Sequence, residues 1–281
     1  MSHPVDDSGM DRYVVIGNPV AHSKSPAIHA RFASACGQRM QYDTLLAPLD
    51  AFAATVHQFF AAGGRGANIT LPFKLEAFAL AERLTERAEA AGAVNTLSFD
   101  GAHILGDNTD GVGLVRDIVH NAGLALAGKR VLLLGAGGAA RGAMLPLLEQ
   151  GPAQIVVANR TIANARDLLA RFAAHPVAKD CVEFADPGSG SFDLIINATS
   201  ASLQASLPPL PPSVLACHTL AYDMMYGAQP TVFMQWAASH GAQVRDGLGM
   251  LVEQAAEAFT LWRGVRPVTG PVYAALRQAL T

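Results

Sequence analysis

Cysteine is scarce in this chain and widely scattered. Cys36, Cys181 and Cys217 are the only three in 281 residues. They form no CxxC pair, suggest no disulfide framework, do not meet metal-ligand spacing and fit a reducing compartment. Charge is sparse as well: 15% of residues are charged, and the net charge is −3. With acids and bases interspersed there is no broad basic field for nucleic acid or an anionic membrane, so local groups must hold any anionic ligand. The most apolar run, VLLLGAGGAA at 131–140, is too short to cross a bilayer. The opening MSHPVDDSGMDR has two adjacent acids and no apolar stretch, unlike a secretory signal. HExxH, a Cys/His cluster and a nucleophile elbow are all missing, so neither metal-assisted hydrolysis nor acyl transfer is supported, and no metal is expected. These exclusions predict a cytoplasmic protein without nucleic-acid or membrane partners; a small-molecule substrate and a monomer or homodimer are expected.

What is present is a large apolar fraction, 51% of residues. At this length it supports two domains of ordinary size. Beyond a leader at 1–11, strand-like and helix-like segments alternate. YVVIG reads as a strand, and SPAIHARFASACG as a helix with Ser25 as cap, Pro26 at the first helical position and Gly37 at the stop. ANITLPFK, at 67–74, reads as the end of a buried strand that delivers a lysine. TLSF and AHIL flank Asp100-Gly101, a hairpin signal. From residue 129 the pattern restarts with KRVLLLGAGGAARGAMLPLL, AQIVVANRT and FDLIINATS. Their almost uniformly apolar strands suit a parallel sheet covered on both faces. After AQVRDG only helical patterns remain, and these are expected to return to the first domain and make it discontinuous.

In VLLLGAGGAARG, Gly135, Gly137 and Gly138 follow a strand and open a helix. Glycines there permit a tight turn and aim helix N-terminal N–H groups at a pyrophosphate. At the end of the next strand stand Asn159, Arg160 and Thr161, where an NAD enzyme carries Asp or Glu for the ribose 2′-hydroxyl. A carboxylate would repel a 2′-phosphate, whereas Arg160 offers a planar cationic fork. The pattern predicts NADP as cofactor.

Polar clusters punctuate the first half: Ser23 and Ser25 in GNPVAHSKSP, Asn68, Thr70 and Lys74 in NITLPFK, Asn95 in AGAVNT, and Asn108 and Asp110 in GDNTDG. Each sits beside Gly or Pro, as strand ends and loops do, and open α/β sheets bind ligands beyond the carboxyl ends of strands. Paired serines at a helix mouth suit a carboxylate. Asn68, Thr70 and Asn95 suit hydroxyl groups. Lys74 and Asp110 offer opposite charges. Plainer structural roles stand beside these: Ser25 and Asp110 as N-caps, Asn95 and Asn108 as turn formers, and His29 as packing.

The motifs GNPVAHSKSP, GANITLPFK, AGAVNT, GDNTDG, GAGGAARG, NRT, NATS, YDMMY and DGLGMLVEQAA follow one another in an order similar to that of the shikimate dehydrogenases. That resemblance, spanning about residues 12–280, implies a split α/β substrate domain (12–110 and 247–281) plus an NADP-binding Rossmann domain (111–246), with NADPH-dependent reduction of 3-dehydroshikimate to shikimate in aromatic amino-acid biosynthesis. It implies Ser23 and Ser25 on the substrate carboxylate with Tyr222 at that end. Thr70, Asn95, Asp110 and Gln254 would surround the ring hydroxyls, and Lys74 with Asp110 would form the catalytic pair. Gly135, Ala136, Gly137, Gly138 and Ala139 are implied at the pyrophosphate, and Asn159, Arg160 and Thr161 at the adenosine phosphate. Thr199, Leu220, Gly247 and Met250 fall on the nicotinamide side. Two departures stand out. Several members using NADP carry a second basic residue four positions after the arginine, here Asn164, so either the grip is weaker or Arg166 stands in. NATS is followed by Ala201 and Ser202 rather than closely by glycine. A quinate/shikimate dehydrogenase of relaxed cofactor choice is the alternative enzyme, and a non-catalytic dinucleotide-binding regulator the alternative outside enzymes.

Overall fold

The computed structural model describes residues 9–199, 201 and 206–280. Most of the expected leader, and Ser202 of the NATSASL departure, lie outside them. The chain divides into two compact units: 1–109 with 252–274, and 110–251 with 275–281.

The first unit is built on a six-stranded mixed sheet of order β2-β1-β3-β5-β6-β4. Its strands are β1 (Asp11–Gly17), β2 (Met40–Leu46), β3 (Gly64–Ile69), β4 (Arg83–Leu84), β5 (Thr96–Phe99) and β6 (Ile104–Asp107). Its helices are α1 (Ser25–Ala35), α2 (Phe52–Ala61), α3 (Lys74–Leu80) and α4 (Glu86–Ala91). The β5–β6 hairpin forms as expected. Asp100 accepts the N–H groups of Ala102 and His103 at 2.9 and 2.8 Å, and Gly101 takes φ +97°. One core packs Val14, Ile16, Phe52, Phe59, Ile69, Phe73 and Leu97 together.

Gly66 on β3 has no side chain because Trp262 lies over it. A Cβ there would sit 2.5 Å from the indole nitrogen, which donates to Leu97 O at 3.1 Å. Trp262 belongs to α9 (Leu248–Arg263), whose later part lies in the first unit. Arg263 on the same helix pairs with Asp11, and Arg87 grips Asp107 through two bonds and Glu257 through a third. The late helix thus returns to the first unit through Val252–Ala274, and the last residues of α10 (Gly270–Leu280) do not. Arg277 there donates to Asp246 and to Gly227 O, both in the second unit.

The second unit carries a six-stranded sheet of order β12-β11-β10-β7-β8-β9, every pairing parallel. The strands are β7 (Arg130–Leu134), β8 (Gln154–Ala158), β9 (Ala178–Val182), β10 (Leu194–Asn197), β11 (Leu220–Asp223) and β12 (Gln243–Asp246). The helices are α5 (Asp110–Arg116), α6 (Gly138–Leu148), α7 (Ile162–Ala170) and α8 (Val232–Ser239). Strand order reverses between β7 and β10, which is the doubly wound arrangement with its ligand crevice at the switch point. Leu132, Leu133, Leu134, Ile195 and Ile196 are all fully buried, as central parallel strands must be. Gly111 lets α5 close on α6: a Cβ would lie 2.1 Å from Gly142 O.

Candidate active site

In the first unit the loops after β1 and β3 are stitched together. Asn18 N donates to Leu71 O at 3.1 Å, and Thr70 N to Ile16 O at 2.9 Å. Gly17 makes the approach possible, since a Cβ would meet the Thr70 methyl at 2.4 Å. The serines of one loop and Thr70 and Lys74 of the other therefore share the carboxyl edge of the sheet.

Two local expectations change here. Ser25 is the first helical residue rather than the cap; Lys24 holds the cap position without a side-chain bond. Ser23 Oγ instead accepts the Ser25 N–H at 3.2 Å. The helix geometry thus leaves the Ser25 hydroxyl free of capping. Nor does β3 carry Lys74. The strand ends at Ile69, Leu71 is exposed, and Lys74 opens α3 after a turn containing the cis Leu71-Pro72 bond. Phe73, fully buried and stacked on Phe52 at 4.8 Å, anchors that turn. Its neighbour Lys74 is left half-buried at the sheet edge.

A buried amide and hydroxyl network lies alongside. Asn68 accepts from Tyr42 OH at 2.7 Å and donates to Thr96 Oγ1 at 3.0 Å. Asn95 bonds Thr109, and Thr109 Oγ1 reaches Gln254 Oε1 at 3.5 Å. Asn95 and Gln254, 159 positions apart in the numbering, are thereby joined through one hydroxyl. Asn108 donates to Ala93 O at 3.0 Å. His29 is packing, as expected, with its ring 4.2 Å from Tyr42 and nearly parallel. Burial opposes ionisation of Asp107, but the Arg87 fork and Thr85 outweigh it and hold the carboxyl below its usual range.

In the second unit, Gly135 takes φ +101° and donates its N–H to Ala158 O at 2.8 Å. Gly137 caps α6, and a Cβ at Gly137 or Gly138 would meet nothing within 4 Å. The first N–H groups of α6 have no intrahelical partners and face this open cradle. Gly137, Gly138 and Ala139 are exposed, and Ala136 is partly so. Thr199 adjoins the turn, 3.1 Å from where a Gly135 Cβ would lie. At the end of β8, Asn159 Nδ2 donates to Thr161 O at 2.8 Å, and Arg160 stands exposed where α7 begins. A cradle without side chains, a helix N-terminus and a cation in place of a carboxylate fit a dinucleotide bearing a 2′-phosphate.

Asp110 is the first residue of α5 and partly buried. Two expected site residues are corrected. Tyr222 is fully buried, and its hydroxyl donates to Asp117 Oδ2 at 2.8 Å. Arg245 clamps the same carboxylate at 2.7 and 2.6 Å and Asn121 donates to it at 2.8 Å, so Tyr222 belongs to a structural cluster around Asp117. Burial, with Asp117 adding to it, drives its phenol pKa far up. Leu220 begins β11, level with Leu194 and Gln243 at the amino ends of the neighbouring strands, opposite the ligand edge. The residues that do reach the carboxyl end of β11 are Met224 and Tyr226. Tyr226 is half-buried, its pKa raised by burial and then by Asp246. Sequence reading missed it because YDMMY holds two tyrosines and only strand register separates them. Gly247 is buried against the Met224 backbone, where a Cβ would meet its carbonyl oxygen at 2.1 Å, and Met250 is partly buried.

Fold and edge chemistry define a two-domain α/β oxidoreductase with a Rossmann-type nucleotide domain. Family models described as the shikimate dehydrogenase substrate binding domain, shikimate/quinate 5-dehydrogenase and the shikimate 5′-dehydrogenase C-terminal domain match residues 15–97, 117–205 and 247–277. The chain is 67% identical over 270 residues, covering 96% of it and 98% of the relative, to the shikimate dehydrogenase (NADP(+)) of Herminiimonas arsenicoxydans. It is 63% identical over the same 96% to that of Janthinobacterium sp. (strain Marseille), covering 98% of that relative. The chain belongs to the shikimate dehydrogenase family. Among solved structures, an Ael1 enzyme from Pseudomonas putida aligns with TM-score 0.89 at 50% identity, covering 96% of this chain and 98% of that one. The shikimate 5-dehydrogenase of Thermus thermophilus, in complex with NADP(H) and shikimate, aligns at 0.84 with 35% identity, covering 96% and 100%.

Proposed function

We infer that this chain catalyses the reversible NADPH-dependent reduction of 3-dehydroshikimate to shikimate. The observation that carries the reading is the set of hydroxyl, amide and ammonium groups along one sheet edge of the first unit, in a chain 67% identical to a named shikimate dehydrogenase (NADP(+)). Such an edge suits a small, polyhydroxylated carboxylate.

Bound NADPH supplies the hydride. The chain's own residues hold the substrate and manage the proton. Ser23 and Ser25 take the carboxylate, and Thr70, Asn95, Asp110 and Gln254 take the ring hydroxyls. Tyr226 replaces Tyr222 at the carboxylate end, since only the former is accessible. Lys74 and Asp110 are the ionisable groups assigned to the reacting oxygen, where an ammonium can donate a proton or stabilise the developing alkoxide. Gly135 to Ala139 take the pyrophosphate, Asn159 to Thr161 the adenosine phosphate, and Thr199, Met224, Gly247 and Met250 border the nicotinamide. The chain works in the cytoplasm, a setting its scattered free cysteines favour.

The test is initial rates by nicotinamide absorbance with shikimate or quinate against NADP or NAD. Shikimate with NADP is expected to be fastest. Equal rates on quinate would favour the broader enzyme, and no rate on either would leave a regulator.

A further inference from the structure

Arg141 offends local electrostatics, and nothing among the described residues compensates. It stands four residues beyond the cap of α6, its N–H donating to Gly137 O at 2.9 Å. Helical side chains tend to lean back toward the helix N-terminus, and a cation in the first turns of a helix is unfavourable beside the positive end of the dipole. Its Nε is withdrawn from solvent with no hydrogen-bond partner. No carboxylate among the described residues pairs with it. Arg116 shares a partnerless Nε but is engaged elsewhere, and three other part-buried arginines are provided for. Arg130 donates to Ser191 O and Ser189 O and lies over Phe192, Arg245 clamps Asp117, and Arg87 clamps Asp107. A part-desolvated, unpaired cation costs stability. Where a chain breaks its own rules without internal compensation, function is the usual reason.

We propose that Arg141 is a phosphate-binding residue: its guanidinium takes the pyrophosphate of the dinucleotide, the part that NADP(H) and NAD(H) share. The inference rests on the assignment of the glycine turn to the pyrophosphate. The 2′-phosphate is assigned one strand away, at Arg160. Arg141 therefore supports affinity for both cofactors and takes no part in choosing between them.

The test uses the full chain with Arg141→Met, which keeps the apolar stem, and Arg141→Lys. NADPH and NADH dissociation constants come from fluorescence titration, and the melting midpoint is taken without cofactor. In Arg141→Met both constants are expected to weaken by the same factor, roughly 10- to 150-fold for a lost charge-assisted contact. The NADPH/NADH ratio stays unchanged, Arg141→Lys falls between, and the cofactor-free midpoint holds or rises. Unchanged affinities, weakening confined to NADPH, or a lowered midpoint would each overturn the proposal. Gly138→Asp separates the underlying reading: if that added carboxylate leaves both affinities intact, the pyrophosphate assignment itself is wrong.

Discussion

Thr109 and Asn95 hold each other through both ends of the asparagine amide. Asn95 Nδ2 donates to Thr109 Oγ1 at 3.0 Å, and the Thr109 N–H donates to Asn95 Oδ1 at 2.9 Å. That carbonyl also accepts the Thr96 hydroxyl at 2.9 Å, and the Thr109 hydroxyl has two acceptors in reach, Asn95 Oδ1 at 3.2 Å and Gln254 Oε1 at 3.5 Å. One fully buried threonine therefore orients two residues assigned to the substrate, and its chain neighbour is Asp110.

Thr109→Val keeps shape and removes the hydroxyl that accepts the buried Asn95 amide. Urea unfolding is expected to show a loss of roughly 1–3 kcal/mol. Steady-state kinetics should show KM for shikimate raised about tenfold, a cost of similar origin, with kcat changed less. Thr109→Ser should restore both. An unchanged KM would reduce Thr109 to packing.

Lys74→Ala removes the ammonium assigned to the reacting oxygen. It should lower kcat roughly 10²- to 10⁴-fold while KM changes less. A variant with weakened substrate affinity and intact kcat would mark Lys74 as a binding group only.

Arg160→Ala should erode the choice between NADPH and NADH by roughly 10- to 150-fold, the worth of one charge-assisted contact, by weakening NADPH alone. Competitive titration of the two cofactors reads this directly. The same ratio before and after substitution would exclude Arg160 from the 2′-phosphate.

His29 gives an acid-stability prediction. It is fully buried against Tyr42, Phe32, Phe259 and Trp262, and neither ring nitrogen has a hydrogen-bond partner. Burial pushes its pKa down to about 3 from 6.5. The neighbouring Asn68 amide does little to relieve this, being committed to Tyr42 and Thr96. Between those two values the unfolded chain binds a proton that the folded chain refuses. Stability is therefore full above about pH 6.5 and falls as pH drops, by about 1.4 kcal/mol per unit from this group. Urea midpoints of His29→Phe and the parent chain, compared across pH 4 to 7, should diverge with that slope. Parallel curves would refute the assignment.

Much of the fold was legible because its signals are local. Glycine after an apolar strand marks the turn at Gly135, and Asp100-Gly101 marks the hairpin, since each backbone conformation depends on the residue occupying it. The residue alphabet of the substrate edge was legible for the same reason. The placement of Lys74 was not. NITLPFK alternates like a strand, yet ladder pairing stops at Ile69, Thr70 and Leu71 make only single bonds to Ile16 and Asn18, and Pro72 has no N–H to continue them.

Tyr222 and Leu220 mark a different limit. In LAYD every residue is buried, so composition cannot say which end of the strand faces the ligand edge. Pairing with β10 and β12 decides it, placing Leu220 at the amino end and sending Tyr222 to an aspartate 105 positions earlier in the chain.

From the amino acids alone came the two-part α/β plan, the phosphate-ready turn, the cation that replaces a carboxylate at the end of β8, and the polar set for a hydroxylated acid. Those follow from what each residue can do with its immediate neighbours. The tertiary structure alone decided which tyrosine is reachable, which serine is free of the helix cap, how a threonine ties Asn95 to Gln254, and that the Arg141 Nε is withdrawn from solvent without a partner among the described residues. Each of these depends on groups far apart in the chain meeting or failing to meet, and no local propensity encodes that.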